Sequence, residues 1–281
     1  MASEPLISVC IPAYNNEAFI TATLESVLGQ TLRHFEIIIT DDHSTDNTVL
    51  AIKRFSDPRI RLVQNETNLG LGGNWNKALS CARGIYIKLL CADDLIYPDC
   101  LRRQLEALED PSHSGAVLAV CNTDLINANS QVIYRRRLRC RPGLVNGRQL
   151  IRRCVRWGTN LVGEPAAGLF RREVLSRAGL FDSDNPYLID LAFWAGLLKH
   201  GDAFADESRL AAFRISAGAM STKLGRQQAA SFRRFIGDMR ADPFHRVSIA
   251  DAALGCLLSF QWWILRNLLI SFQTRKTRRD S

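Results

Sequence analysis

The stretch ISVCIPAYNNEAFITATLESVLGQTLRHFEIIITDDHSTDNT, residues 7–48, decides the class of fold. It contains two apolar runs rich in β-branched residues, at 6–14 and 35–40, separated by a segment in which apolar residues recur at helical spacing. A strand, a helix and a second strand of these lengths are typical of a βαβ unit, whose parallel strands are covered on both faces. This stretch therefore predicts an α/β protein.

The same alternation continues to about residue 121. Further apolar runs predict strands at 59–64, 86–90 and 116–121, and helical spacing predicts helices at 19–28, 49–55, 75–82 and 101–108 between the strands. After Asp124 the pattern changes to two strands around a polar turn, a helix at 147–158 and a short helix that ends near Gly179. We interpret this second half as an α+β elaboration of the same sheet.

Composition narrows the class of partner. The chain has 281 residues, of which 47% are hydrophobic and 23% charged, and this balance excludes global disorder. Lys and Arg outnumber Asp and Glu by 36 to 28. The excess of positive charge favours a phosphate-bearing partner, which could be a nucleotide, a nucleic acid or an anionic membrane surface.

The cysteines and the N-terminus bear on the compartment. Eight cysteines are scattered without a CxxC spacing or a Cys/His cluster, so we interpret them as small core residues in a reducing compartment and not as zinc ligands. The N-terminal residues lack the basic and apolar regions of a signal peptide. We therefore expect a cytoplasmic location.

Acidic and amide side chains follow the predicted strands. Asp41 and Asp42 follow the second strand, and Asp93 and Asp94 follow the fourth. In an open parallel sheet, ligands bind beyond the carboxyl ends of the strands. Carboxylates beside a phosphate repel it unless a divalent cation lies between them, so these residues predict a nucleoside diphosphate bound with Mg²⁺ or Mn²⁺.

Other nucleotide and nucleic-acid sites fit less well. The sequence has no GxGxxG after the first strand and no GxxxxGK[ST], which argues against a dinucleotide site and a P-loop. The Arg-rich run at 135–141 lacks the interleaved aromatic residues of a nucleic-acid module. We expect no nucleic-acid partner.

Residues 7–48, followed by NLGLGGNWNKALSCARGIYIKLLCADDLIYPDCL at 68–101, resemble family 2 glycosyltransferases. The order IPAYN, DD-x-S-TD and a later A-DD carries the resemblance. It implies the GT-A fold, a Rossmann-like and mostly parallel sheet flanked by helices. It also implies a nucleotide-sugar-binding half at 1–125 and an acceptor-binding half at 126–215.

The resemblance also implies a role for individual residues. Asp190 is the expected general base, Asp94 the expected ligand of Mn²⁺ or Mg²⁺, and Asp42 the expected partner of the nucleotide base. The expected nucleotide-sugar-binding residues also include Pro12, Tyr14, Asn15, Glu17, Asn74, Lys77 and Asp93. The implied reaction is transfer of a sugar, with inversion, from a nucleoside diphosphate sugar to a sugar or lipid-linked acceptor. By default the donor is a UDP-sugar, and the setting is synthesis of a bacterial surface polysaccharide or glycolipid.

Three residues depart from the family pattern. Cys91 stands where many members have the first Asp of D-x-DD, His43 replaces a Gly, and Ile189 replaces a Glu. With Ile189 in that place, Asp190 could instead be the N-cap of the next helix. The departures of Cys91 and Ile189 favour an alternative, a catalytically inactive nucleotide-sugar-binding or membrane scaffold protein of the same fold.

The C-terminal segment, 216–281, is predicted to be helical and membrane-associated. Residues 254–272 are largely apolar, but Arg266 lies inside them, and a mid-helix Arg costs about 2.5–3.5 kcal/mol on insertion scales. Ser259, Arg266 and Gln273 form one narrow polar stripe, and a basic run follows at 275–279. We expect an amphipathic helix in which residues 254–279 lie on the inner face of the cytoplasmic membrane. The alternatives are a helix that caps the globular domain and a helix that spans the membrane.

Overall fold

Strands and helices alternate along the first half of the chain, as the apolar periodicity predicts. The structure, a computed structural model, describes residues 4–216 and 227–277, with side chains as far as residue 264. The strands described are β1 (Ile7–Ala13), β2 (Phe35–Asp41), β3 (Ile60–Gln64), β4 (Tyr86–Leu89), β5 (Leu95–Ile96), β6 (Ala116–Ile126), β7 (Val132–Arg136), β8 (Gly143–Val145), β9 (Gly168–Arg171) and β10 (Asp202–Arg214). The α-helices are α1 (Ile20–Leu28), α2 (Thr48–Lys53), α3 (Gly70–Ser80), α4 (Cys100–Glu109), α5 (Gly147–Trp157), α6 (Leu175–Ala178), α7 (Ile189–Leu197), α8 (Gln228–Ala241) and α9 (Ile249–Thr277).

These strands form one sheet in the order β3-β2-β1-β4-β9-β6-β10-β5, with β7 beside β6 and β8 beside β10. The first four strands in this order are parallel, which confirms the predicted βαβ units. β9 then pairs antiparallel with both β4 and β6, while β6 and β10 are parallel. The carboxyl ends of β1, β2 and β4 therefore meet at one edge of the sheet.

The sheet is buried on both faces. In β2, Ile37 and Ile39 belong to the same buried cluster as the apolar residues of α1, α2 and α4, whereas Ile38 points to the other face and belongs to the cluster that contains those of α3, α5, α7 and α8. Successive side chains of a strand point to opposite faces, so an uninterrupted apolar run fits a strand covered on both sides. The result is three layers, with the sheet between two layers of helices.

One lysine lies inside this core. Lys88 of β4 is fully buried, and its Nζ donates hydrogen bonds to Ala166 O at 2.6 Å and Gln104 Oε1 at 2.9 Å. Gln104 Nε2 in turn donates to Ala167 O at 2.7 Å. Lys88 thus holds the turn before β9 against the centre of the sheet.

Replacing Lys88 by Met is expected to lower the free energy of unfolding by about 2–4 kcal/mol, because two buried acceptors lose their donor while the volume is nearly conserved. Urea denaturation followed by circular dichroism measures this loss. Lys53→Met, at an exposed lysine of α2, serves as the matched control. A loss below about 1 kcal/mol for Lys88→Met would contradict the role given to these hydrogen bonds.

The C-terminal helix α9 packs by its first four turns against α5 and α8. Gly158, with φ of 57°, and Gly255 allow the close approach, because a Cβ on Gly255 would lie 2.0 Å from Val155 O. Trp262 Nε1 donates to Trp157 O at 3.2 Å. The packing around Gly255 and Trp262 caps the domain, as one of the alternatives predicts.

Two predictions about this helix fall partly beyond the described side chains. Of the predicted polar stripe, only Ser259 has a described side chain, and it is buried. The basic run at 275–279 also has no described side chains. Within the described residues, no helix combines the length and the hydropathy needed to cross a bilayer.

Candidate functional site

The loops that follow β1 and β2 are joined side by side. The backbone N–H of Asn15 donates to Ser44 Oγ at 3.0 Å, and Asn15 Oδ1 accepts from the backbone N–H of Thr45 at 2.8 Å. Glu17 Oε2 accepts from the Asn47 N–H at 2.9 Å. Asn15 and Glu17, both predicted to bind nucleotide, are therefore engaged in holding these two loops together.

Two other predicted residues border the same loops. Pro12 is buried at the carboxyl end of β1, and the side chain of Tyr14 is 48% exposed beyond it. His43 has φ of 62°, the left-handed conformation that glycine adopts without strain. The turn thus keeps a glycine-like backbone although a histidine stands in the place of the glycine.

Asp42 is 2% exposed and lies at the start of α3. Its carboxylate accepts hydrogen bonds from Asn65 Nδ2 at 2.8 Å, the Leu69 N–H at 2.8 Å and the Gly70 N–H at 3.0 Å. A carboxylate offers about four acceptor positions, and three of them are filled by these bonds. Asp42 fixes the first turn of α3 at this edge of the sheet.

Asn74, on the next turn of α3, joins the same network. Its Nδ2 donates to Thr40 O at 3.0 Å and Ala13 O at 3.3 Å, so it ties α3 to the ends of β1 and β2. Lys77 lies in the last turn of α3 and is exposed, so the structure does not bring it to the edge where α3 begins.

Asp41 was not among the predicted site residues. It is buried, its Oδ2 accepts from the Ser44 N–H at 3.2 Å, and its Oδ1 has no hydrogen-bond partner. The pair of adjacent aspartates in the sequence is the signal for this residue, although only Asp42 was assigned a role.

The loop after β4 carries a cluster of possible cation ligands. Ligand atoms of Cys91, Asp93 and Asp94 all lie within 4.8 Å of one another. Asp94 is fully buried. Its Oδ1 accepts from the Arg214 N–H at 2.9 Å, and its Oδ2 has no partner. A buried carboxylate oxygen without a donor fits a divalent cation, which binds such oxygens.

The electrostatics of this cluster agree with that fit. Burial, together with the neighbouring Asp93, raises the pKa of Asp94 well above its usual value. Burial also raises the pKa of the Cys91 thiol, and the nearby carboxylates of Asp94, Asp93 and Asp190 add to this effect. Negative charge is therefore disfavoured here unless a positive group is added.

Arg214, at the end of β10, supports the cluster and was missed by sequence analysis. Its Nε donates to Asp93 O at 2.7 Å, one terminal nitrogen donates to Asn127 O at 2.8 Å, and its guanidinium lies 4.7 Å from the centre of the Phe19 ring. The side chain thus connects the loop after β4 to the turn between β6 and β7.

Asp190 lies in the first turn of α7 and is partly buried. Its Oδ1 accepts from the Leu191 N–H at 2.7 Å, and its Oδ2 accepts from Asn160 Nδ2 at 3.0 Å. The N-cap of α7 is Leu188, so Asp190 does not occupy the N-cap position. Burial raises the pKa of Asp190 to about 6, which suits a group that exchanges a proton near neutral pH.

A loop and an arginine hold Asp190 in place. Asn160 Oδ1 accepts from the Gly163 N–H at 3.0 Å, and Trp194 Nε1 donates to Gly163 O at 3.0 Å. Arg136 of β7 pairs with Glu164, the next residue of that loop, and donates to Thr123 Oγ1 at 3.1 Å. The charge of Arg136 acts to lower the pKa of both Asp190 and Asp94. Arg136 is therefore in electrostatic range of both carboxylates.

The chain is similar to several known proteins. The family described as Glycosyl transferase family 2 matches residues 8–179. The uncharacterized protein MT1568 of Mycobacterium tuberculosis (strain CDC 1551 / Oshkosh) is 34% identical over 93% of this chain and 82% of its own length. The Escherichia coli enzyme UDP-Glc:alpha-D-GlcNAc-diphosphoundecaprenol beta-1,3-glucosyltransferase WfgD is 38% identical over 45% of this chain, and the match spans 49% of that enzyme.

One solved structure with a similar fold covers most of the chain. It is the mannosyltransferase PcManGT from Pyrobaculum calidifontis in complex with GDP-Man and Mn²⁺, with a TM-score of 0.66 and 19% identity. The likeness covers 93% of this chain and 72% of that one. At this identity the likeness shows the fold alone. Because it covers 93% of this chain, the likeness continues past β9 to the elements that hold Asp190.

Proposed function

Because the chain belongs to glycosyl transferase family 2 and has the GT-A fold, we propose that it transfers a sugar from a nucleoside diphosphate sugar to an acceptor hydroxyl with inversion. One observation carries the proposal. A partly buried carboxylate with a raised pKa, Asp190, lies in electrostatic range of the cluster formed by Cys91, Asp93 and Asp94. This arrangement suits a base at Asp190 and a diphosphate with its cation at the cluster.

The chemical step needs one base and no covalent intermediate. Asp190 Oδ takes the proton of the acceptor hydroxyl, the hydroxyl oxygen bonds to the anomeric carbon, and the bond from that carbon to the diphosphate oxygen breaks. Attack from the face opposite the diphosphate inverts the configuration. Asn160 holds the carboxylate in place by its hydrogen bond. A divalent cation held by Asp94 would supply positive charge beside the departing diphosphate.

We propose that the nucleotide lies along the loops after β1 and β2. Asp42 has one acceptor position left for an N–H of the base, and Tyr14, which follows the neighbouring strand β1, is exposed. Asn15, Glu17 and Asn74 would act by holding this edge in shape. Asp93 would then face the ribose or the diphosphate.

The relatives favour a UDP-sugar and an acceptor on a lipid carrier. WfgD is named as an enzyme that uses UDP-Glc and an acceptor sugar on diphosphoundecaprenol. We propose a sugar or lipid-linked acceptor for this chain, in synthesis of a bacterial surface polysaccharide or glycolipid. Mn²⁺ accompanies GDP-Man in PcManGT, and we propose Mn²⁺ or Mg²⁺ at Asp94 of this chain.

The proposal is tested by thermal unfolding of the chain with Mn²⁺ and a panel of nucleotide sugars, followed by transfer assays with each stabilising donor. We expect at least one donor to raise the midpoint, because a ligand that binds only the folded state stabilises it. NMR of the product then gives the anomeric configuration. Failure of every nucleotide and nucleotide sugar to bind would contradict the proposal, whereas donor binding without transfer or hydrolysis would favour the inactive scaffold.

We further propose that α9 attaches the enzyme to the inner face of the cytoplasmic membrane. Its outer face exposes Leu257 (56%), Phe260 (49%) and Ile264 (40%). The guanidinium of Arg139, from the basic run at 135–141, lies 5.6 Å from the centre of the Trp262 ring. Apolar side chains beside arginines suit the surface of an anionic bilayer.

Replacing both Leu257 and Phe260 by Glu is expected to abolish flotation of the chain with vesicles of anionic phospholipid, because two charges would then face the acyl boundary. Sucrose-gradient flotation measures the bound fraction. Leu50→Glu, at an exposed leucine of α2, is the control and should float like the wild type. Unchanged flotation of the double variant would exclude this face of α9 as the attachment site.

A further inference from the structure

Cys91 departs from the role that sequence analysis gave to the cysteines. All eight are free thiols, and four of them are fully buried in the core. Cys91, like three others, is partly buried at the edge of the core, but its Sγ lies within 4.8 Å of a carboxylate oxygen of both Asp93 and Asp94. A thiol placed only to fill space would not need to face two carboxylates.

The spacing is compatible with ligands on a single ion. A zinc ion binds sulfur at about 2.3 Å and carboxylate oxygen at about 2.0–2.2 Å in a tetrahedron, so its sulfur and oxygen ligands are separated by about 3.6 Å. The three atoms lie at most 4.8 Å apart, so side-chain movements of less than about 1 Å bring them to one cation. The second observation is Asp94 Oδ2, which is buried in the same cluster and has no hydrogen-bond partner.

Sulfur and oxygen ligands select different cations. Mg²⁺ takes oxygen ligands in a near-ideal octahedron, whereas thiolate ligands select softer ions such as Zn²⁺. A site of three carboxylates would therefore suit Mg²⁺ or Mn²⁺ better than a site in which one carboxylate is replaced by sulfur.

We infer that Cys91 Sγ is a ligand of the cation at Asp94, and that this chain consequently favours Co²⁺ and Zn²⁺ over Mg²⁺ more strongly than an all-carboxylate site does. On binding, the S–H proton passes to solvent and a sulfur–metal bond forms, with no change of oxidation state. The inference deepens the proposed function and rests on its cation site. It adds a ligand and a class of cation that the resemblance did not imply.

Absorption spectroscopy with Co²⁺ tests the inference without an activity assay. Titration of the full chain with Co²⁺ in the presence of UDP should give a near-ultraviolet sulfur-to-cobalt charge-transfer band. Cys91→Ser and Cys91→Asp should lose the band and still bind Co²⁺, as measured by calorimetry. Cys81→Ser, at a partly buried cysteine after α3, should keep it.

Calorimetry adds the second readout. In Cys91→Asp, the ratio of Co²⁺ to Mg²⁺ affinity should fall by about tenfold or more, because removing the sulfur ligand alters the site at least as much as removing a group that only supports a ligand. Circular dichroism checks that each variant is folded.

The outcomes separate the two proposals. Co²⁺ binding without a sulfur band in the wild type, or a band that persists in Cys91→Ser, overturns the role of Cys91 and leaves the proposed transferase standing. If neither cation nor nucleotide binds to the wild type, both fail.

Discussion

Asp190→Asn is expected to lower kcat about 10²–10⁴-fold, the usual effect of removing a general base, while the affinity for the donor stays close to that of the wild type. The amide has the shape of the carboxylate and can still accept the Leu191 N–H, but it cannot take a proton from an acceptor hydroxyl. In the variant an NH₂ group replaces Oδ2, so Asn160 Nδ2 loses this acceptor. This loss lowers the free energy of unfolding by about 1 kcal/mol. Single-turnover transfer and calorimetry with the donor separate the chemical step from binding.

The pH profile gives the same assignment an independent test. The pKa of Asp190 is raised to about 6, so the ionised base predominates above that pH and kcat/KM should fall about tenfold per unit below it. Asn160 lowers this pKa by donating a hydrogen bond to the carboxylate. In Asn160→Ala the acidic limb should therefore move to higher pH, which a purely structural role of Asn160 would not produce.

The control for both measurements is Asp184→Asn, at an exposed carboxylate that pairs with Arg234 ahead of α7. It should keep the wild-type kcat and the wild-type acidic limb. Turnover near the wild-type level in Asp190→Asn would remove Asp190 from the role of base.

The apolar periodicity predicted the elements built from local contacts. β1, β2, β3, β4 and the helices between them were predicted within a few residues, except that α3 begins at Gly70 instead of near Trp75. Glycines at 70, 72 and 73 hid that first turn, because they lower helix propensity. The turn forms through a tertiary contact, as Asp42 accepts the Leu69 and Gly70 N–H groups.

β10 was not predicted at all, and its pairing explains why. The strand runs for 13 residues beside β6 with register shifts near Asp202, Asp206 and Arg209. Extra residues at such shifts interrupt the pairing, and the burial pattern of β10 does not alternate strictly, so the period of two is weak in the sequence.

Only those site residues that belong to a sequence motif could be predicted. Asp42, Asp93, Asp94 and Asp190 stand at recognisable positions in the chain. Asn160 and Arg214 carry no such signal, because they act through contacts with residues 30 and 121 positions away in sequence. Contacts of that range are set by the packing of the sheet and not by any local pattern.

Asp94→Asn is expected to remove cation-dependent donor binding and to lower turnover by at least about 10³-fold, since cation stabilisation of the leaving diphosphate is worth several kcal/mol. The substituted amide can keep the acceptor for the Arg214 N–H through Oδ1. It replaces the unpartnered Oδ2 by an NH₂ group, whose protons repel a cation. Calorimetry with UDP, with and without Mn²⁺, measures the loss, and Asp99→Asn, at a carboxylate outside the cluster, should retain the cation effect.

The same variant should unfold at a higher temperature than the wild type when no cation is present. Burial and Asp93 raise the pKa of Asp94, which means that its ionised form is disfavoured in the folded protein at neutral pH. A neutral amide removes that unfavourable charge without leaving the Arg214 N–H unpaired. Lower activity together with higher stability is the combination expected of a carboxylate kept for a cation and not for the fold. An Asp94→Asn variant that binds UDP more tightly with Mn²⁺ than without it would show that Asp94 is not the cation ligand, and a variant less stable than the wild type would show that the carboxylate also supports the fold.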